Sequence, residues 1–217
     1  MRSSKWFAFS AAFALLTVGC ASPPVEANQT NASNEAIAEE DLSEGTATAV
    51  FAMGCFWCAE ADFEKLDGVL SVVSGYTGGD LEDPTYEQVT FGETGHYEAV
   101  LVTYDTAKVT YDDLLATFWI NIDPFDASGQ FCDKGTSYRA AIFPRSEAET
   151  AAANKSKERR TRELQEEPVT KILPRATFYR AEEYHQDYYK KNPIRYRFYR
   201  SRCGRDARLQ EVWDLKF

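Results

Sequence analysis

Residues 48–66 read TAVFAMGCFWCAEADFEKL, and the change of period inside them sets the architecture. The first six form a short β-prone run, and Gly54-Cys55 breaks it. Beyond the break Phe56, Ala59, Phe63 and Leu66 recur at helical spacing, so a strand gives way to a helix at the cysteine. Gly68 ends that helix, and 69–76 reads as a strand stopped by Gly78-Gly79. A loop over 80–94 leads to a second convincing strand at 97–104. Thr110 with Asp113 is a capping-box signal, opening a helix whose stripe is Tyr111, Leu114, Leu115, Phe118, Trp119 and Ile122. After a polar loop over 123–137 comes a strand at 138–143. The succession β-α-β-β-α-β predicts a two-layer α+β domain of ferredoxin-like order. A surface helix over about 146–166, a strand near 172–180 and a short helix near 182–191 extend it. Asn192-Pro193 is expected to close the last helix and leave an irregular tail.

The chain has 217 residues, enough for one good hydrophobic core. At 44% apolar and 14% aromatic it is too hydrophobic for a disordered protein. A formal charge of −10 argues against nucleic acid as a partner, which needs positive surface. Five cysteines are too few for a disulfide scaffold but enough for thiol chemistry.

The N-terminus reads as targeting sequence. Arg2 and Lys5 give a positive start, residues 6–18 are apolar or small, and Leu16-Thr17-Val18-Gly19-Cys20 resembles a bacterial lipobox. Residues 1–19 are therefore expected to be a signal peptide, with Cys20 the lipidated first residue of the mature chain. Residues 20–46 contain no Lys or Arg and carry six acids, so they read as a flexible acidic tether. The folded domain is expected over 47–217. These features predict a lipid-anchored monomer facing the periplasm, and Ala21 after the lipobox favours the outer membrane.

Cys55 falls at the strand-to-helix junction, where free N–H groups and the helix dipole favour a thiolate. Cys58 follows on the same face. A CxxC at a helix start is a redox or metal signal. Zinc would want a second close pair, and Cys132 and Cys203 stand alone in the sequence. Trp57 points away from the apolar stripe, either as a binding wall beside the thiol or packed under a following loop. Glu98 shares a strand face with Val100, Val102 and Tyr104. A carboxyl on such a face should be held protonated and able to donate near neutral pH.

Six separated motifs then become recognisable. Gly54-Cys55-Phe56-Trp57-Cys58-Ala59-Glu60 resembles the signature of the peptide methionine sulfoxide reductase A family, with Cys58 where that family usually has Gly. The resemblance continues through 75–79, 84–86, 94–100, 133–139, and 184–186 with 191–193, covering about 48–195. It implies that Cys55 is the nucleophile and that Phe56 and Trp57 form the apolar pocket for the sulfoxide's methyl group. It further implies that Glu98 is the acid, that the Tyr86 and Tyr138 hydroxyls bind the sulfoxide oxygen, and that Asp133 fixes the substrate backbone. The implied substrate is methionine S-sulfoxide, free or in proteins. No bound cofactor or metal is expected, and the implied reductant is an external thioredoxin-like dithiol protein.

Cys132 stands where the family commonly has Asn, and Cys203 lies where many relatives keep a recycling cysteine. Cys58 and Cys203 are therefore both candidate resolving thiols. Arg200, Arg202 and Arg205 should make Cys203 acidic, and Cys203 either relays oxidation outward or pairs with Cys132 to pin the tail. Two alternatives are a thioredoxin-like disulfide reductase, suggested by the CxxC, and a lipoprotein binding module using the arginine-rich, aromatic tail. The first would have no need of Glu98, Tyr86 and Tyr138.

Overall fold

The computed structural model describes residues 36–37 and 43–214. The expected signal peptide, Cys20 and most of the tether lie outside them. In chain order the elements are β1 (Thr46–Met53), α1 (Phe56–Phe63), β2 (Val69–Thr77), α2 (Tyr86–Phe91), β3 (Tyr97–Asp105) and α3 (Tyr111–Ile120). Next come β4 (Gly129–Gln130), β5 (Asp133–Lys134), β6 (Ala140–Phe143) and α4 (Glu147–Leu164). The chain continues with β7 (Lys171–Ile172), β8 (Phe178–Arg180), α5 (Tyr188–Lys191), α6 (Pro193–Arg202) and α7 (Arg205–Trp213).

The main sheet runs β7-β6-β1-β3-β2-β8. Both β1 and β2 pair antiparallel with β3, so the two strands joined by α1 are parallel and split by a third. Strand alternation sorts the apolar residues onto two faces. Phe51, Met53, Val100, Val102 and Tyr104 meet Phe56, Ala59 and Phe63 of α1 and Leu114, Leu115, Phe118 and Trp119 of α3. Phe51 lies at the centre, with ring centroids 5.1 Å from Phe63 and 5.5 Å from Phe118. Val50, Ala52, Ala99, Leu101 and Phe143 occupy the opposite face with Phe178. Each large side chain buried this way contributes about 1.5–3 kcal/mol.

The register brings the chemistry together. Phe51 pairs with Val100 and Tyr76 pairs with Glu98, so the end of β1 sits beside the start of β3. The β1–α1 turn that carries Cys55 therefore lies over Glu98.

Several sequence expectations are corrected. The 80–94 loop contains α2, opened by a full capping box between Thr85 and Gln88. The single strand near 172–180 is two short strands on opposite edges of the sheet, β7 beside β6 and β8 beside β2. Tyr138 is not in a strand: it ends a 3-10 turn over Thr136–Tyr138, and β6 begins at Ala140. The tail is not irregular. Asn192 does close the short helix, α5, but Pro193 at once opens α6, because proline at the first helical position gives up an N–H that would have had no partner. Ala36 bridges Tyr179, and Ile37 N–H donates to Phe178 O at 2.9 Å, so this pair lies along the β8 edge. No helix among the described residues is long and apolar enough to cross a membrane.

Candidate active site

Gly54 makes the turn possible. Its φ of +77° suits glycine, and an added Cβ would sit 2.5 Å from Gln130 Cβ. Gln130 is itself fixed, accepting Asp123 N–H and donating to Asp123 O, both at 2.8 Å. The turn delivers Cys55 to the N-cap position of α1. One residue on, Phe56 N–H donates to Glu98 Oε2 at 3.0 Å. A free N–H of the helix terminus is thus taken by a carboxyl that is 1% exposed. Burial, the largest influence, pushes Glu98 up to about 8 against that N–H and the Tyr138 hydroxyl, so it carries a proton at neutral pH.

Tyr86 and Tyr138 bring their hydroxyls 3.4 Å apart from α2 and from the turn before β6. Burial raises both phenols, and both remain neutral donors. Asp133 lies in β5, and its carboxylate accepts from the Tyr199 hydroxyl. Burial raises Asp133 as well, opposed by that hydroxyl, Arg205 and Lys134.

The two aromatic residues after Cys55 divide the work. Phe56 is fully buried against Tyr76, Tyr86 and His185, so it is a floor beneath the tyrosines. Trp57 is half-buried and stands against residues far along the chain. Its ring stacks on Tyr188 with centroids 3.7 Å apart, and Tyr199 meets it edge-on at 5.8 Å. Its Nε1–H donates to His185 Nδ1 at 3.0 Å. Burial lowers His185 to about 4, so the ring is neutral and free to accept.

Cys55 and Cys58 are both free and buried. The expected resting Cys55 thiolate is corrected here. At 5% exposure, burial outweighs the helix N-terminus, and Cys58, Glu98 and Asp133 add to it, so the Cys55 thiol is pushed well up. Cys58 is instead lowered to about 7 by the Cys55 S–H, against burial and with help from Arg205 and Arg200. The two thiols titrate as one coupled pair that shares a proton near neutrality.

Cys132 and Cys203 form a disulfide across 71 residues. Of the two alternatives for Cys203, the described arrangement is the pairing that pins the tail to the 129–135 loop. The expectation that arginines make Cys203 an acidic free thiol is corrected. Arg200 donates to both oxygens of Asp62, at 3.0 and 2.9 Å, and also pairs with Asp206. Arg205 turns inward instead of toward Cys203.

Sequence reasoning gave no role to His185 or Tyr188, and placed Tyr199 and Arg205 only in the tail and beside Cys203, not at Cys55. His185 stands inside one of the recognisable motifs, which was a signal that it mattered. The two tyrosines and Arg205 lie in segments where only the tertiary fold brings them to Cys55.

A family model described as peptide methionine sulfoxide reductase matches residues 47–216. A peptide methionine sulfoxide reductase MsrA 2 of Caulobacter vibrioides is 54% identical over 169 residues, covering 77% of this chain and 86% of that protein. The MsrA of Bacillus subtilis is 47% identical over 177 residues, covering 81% and 100%. Among solved structures, methionine sulfoxide reductase A of Corynebacterium diphtheriae superposes with a TM-score of 0.67 at 34% identity, covering 70% of this chain and 77% of that one. The reduced form of Mxr1 from Saccharomyces cerevisiae gives 0.66 at 33% identity, covering 69% and 87%.

Proposed function

Because this chain belongs to the peptide methionine sulfoxide reductase family, we propose that it reduces methionine S-sulfoxide, free or in proteins, from a lipid anchor in the cell envelope. One observation carries the chemistry: a buried, protonated Glu98 is held by the N–H of the residue after Cys55, beside paired tyrosine hydroxyls.

The Cys55 sulfur attacks the sulfoxide sulfur, and its proton passes along the thiol–thiol hydrogen bond to Cys58. Glu98 gives its proton to the departing oxygen while Tyr86 and Tyr138 hydrogen-bond it. The protonated oxygen is then transferred to the Cys55 sulfur as the sulfur–sulfur bond and the methionine sulfur–oxygen bond break, so methionine leaves with its electron pair and Cys55 is left as a sulfenic acid. Phe56 and Trp57 supply the apolar surface for the methyl group, and Asp133 holds the substrate backbone. The Cys58 thiol then condenses with the sulfenic acid, releasing water and forming a Cys55–Cys58 disulfide. Two electrons from an external thioredoxin-like dithiol restore both thiols. Resolution falls to Cys58 because Cys203 is already bonded to Cys132.

The deciding experiment offers the separated S and R sulfoxides of a blocked methionine, with dithiothreitol as reductant. Turnover of the S form with the R form left unreduced is expected. Comparable turnover of both would remove the stereochemical assignment.

Anchoring is tested separately. Cys20→Ala should move the protein from the membrane to the soluble fraction while the reductase activity stays within about twofold. A wild-type protein that is wholly soluble and cleaved away from Cys20 would defeat the anchor.

A further inference from the structure

Two walls of the site come from distant parts of the chain, and one turn is tied to both. Tyr86 opens α2, Trp57 lies on α1, and the turn runs from Glu182 to Tyr188, the first residue of α5. At its start the Glu182 carboxyl accepts the Tyr86 N–H at 2.9 Å and the Tyr76 hydroxyl at 2.8 Å. At its end His185 accepts the Trp57 Nε1–H, and Tyr188 stacks on the same indole. Between them Gln186 is buried against β2. Gly75 is the last β2 residue paired with β8, and Gln186 takes up the next one, accepting Ser74 N–H at 3.0 Å and donating to Ser74 O at 2.9 Å.

The residue that follows is held from α1. Asp187 stands at φ +53°, a left-handed conformation that a residue other than glycine keeps only where its surroundings fix it. Its N–H donates to Glu60 Oε1 at 3.0 Å. Glu60 is 1% exposed and lies one helical turn from Trp57, on the neighbouring position of the same face. The helix that carries the indole therefore also grips the turn that carries two of the indole's partners. Packing alone does not account for a glutamate there. Its Oε2 is buried without a hydrogen-bond partner, and an apolar side chain would fill the place without that desolvation. The nearby Lys190 ammonium is engaged by Glu64 at 2.6 Å and Asp187 at 2.8 Å. What Glu60 gives the turn is one acceptor, aimed at the N–H of its left-handed residue.

We infer that Glu60 is a positioning residue of the substrate pocket, fastening the 182–188 turn to α1 so that His185 and Tyr188 fix the Trp57 indole. The inference rests on the reading of Trp57 as a wall for the sulfoxide's methyl group. Glu60 works through the Asp187 backbone, which joins Gln186 to Tyr188. With that N–H unmet, the end of the turn loses its hold on the indole. Glu182 and Gln186 still hold its start, and with it Tyr86. The loss should therefore fall on binding at the apolar wall and spare the hydrogen bonds to the sulfoxide oxygen.

The test uses the full chain, reduced beforehand and freed of reductant, mixed with rising concentrations of a blocked methionine S-sulfoxide. Single-turnover release of methionine then gives a half-saturating concentration and a limiting rate without the recycling step. Glu60→Leu, close in size but without an acceptor, is expected to raise the half-saturating concentration about tenfold and to keep the limiting rate within about threefold. Glu60→Gln, whose amide oxygen can take the Asp187 N–H, should stay within about twofold of wild type in both. In a Trp57→Ala background, Glu60→Leu should change the half-saturating concentration by less than about twofold further, because the wall it acts through is gone. A Glu60→Leu protein that matches wild type, or that loses limiting rate at unchanged half-saturation, overturns the inference. So does full additivity with Trp57→Ala, or a Glu60→Gln protein as impaired as Glu60→Leu. Should Glu60→Leu fail to fold, as read by near-ultraviolet circular dichroism, amide exchange in the unsubstituted protein decides. The Asp187 N–H should exchange at least about 100-fold more slowly than an unstructured amide, and exchange at the unstructured rate overturns the fastening. Failure of the underlying reading looks different: Trp57→Ala alone would then leave the half-saturating concentration unchanged, whatever Glu60 does.

Discussion

Cys55→Ser is expected to abolish methionine formation even in a single turnover, a loss on the order of 10⁴–10⁶-fold. Serine keeps the volume and the N-cap position, so the domain should fold and bind substrate. What it lacks is a sulfur that can take the oxygen. Cys58→Ser separates the two thiols. It should still release one equivalent of methionine, more slowly near neutral pH because Cys55 loses its proton acceptor. Steady-state turnover with a thioredoxin-like protein should then collapse for want of a resolving thiol. Dithiothreitol, small enough to reach a sulfenic acid in a narrow site, should partly restore it. Product quantified per enzyme by chromatography reads both cases. Detectable single-turnover product from Cys55→Ser would move the nucleophile elsewhere.

The contrast between these variants marks where sequence reading stopped. Period changes placed β1, α1, β3 and α3, and strand alternation put Glu98 on the face of Val100 and Val102, where it lies buried. Those signals are local. The proton balance of the thiols is not, because it depends on Glu98 from β3, Asp133 from β5 and Arg205 from α7 closing over Cys55 and Cys58. Position at a helix start argued for a Cys55 thiolate, and desolvation reversed it. Some misses were legible in principle. Thr85 and Gln88 spell a capping box for α2, and Pro193 is as good a helix opener as a stop. The Cys132–Cys203 pairing was not decidable from spacing, since only the packing of α6 and α7 brings the tail to the 129–135 loop.

Glu98→Gln should lower kcat by about 10²–10⁴-fold while KM changes little, the pattern of a missing general acid. The amide oxygen can still accept the Phe56 N–H, so the β1–α1 turn keeps its anchor. The lost function is the proton. Wild-type activity should fall as pH rises through about 8, where Glu98 gives up its proton, and the variant should lack that fall. Stability should change in a linked way. Between the ordinary carboxyl value of 4.5 and about 8 the folded protein holds a proton that the unfolded chain releases, so this group erodes stability as pH rises across that window. Glutamine has no such titration. The variant's stability relative to wild type should therefore grow from about pH 5 to about pH 8, measured by urea unfolding at each pH. A few-fold loss of kcat with an unaltered alkaline limb would make Glu98 structural and shift the acid to Tyr86 or Tyr138. A large loss of kcat with no relative gain in stability would keep Glu98 as the acid but show that its proton is not held by burial.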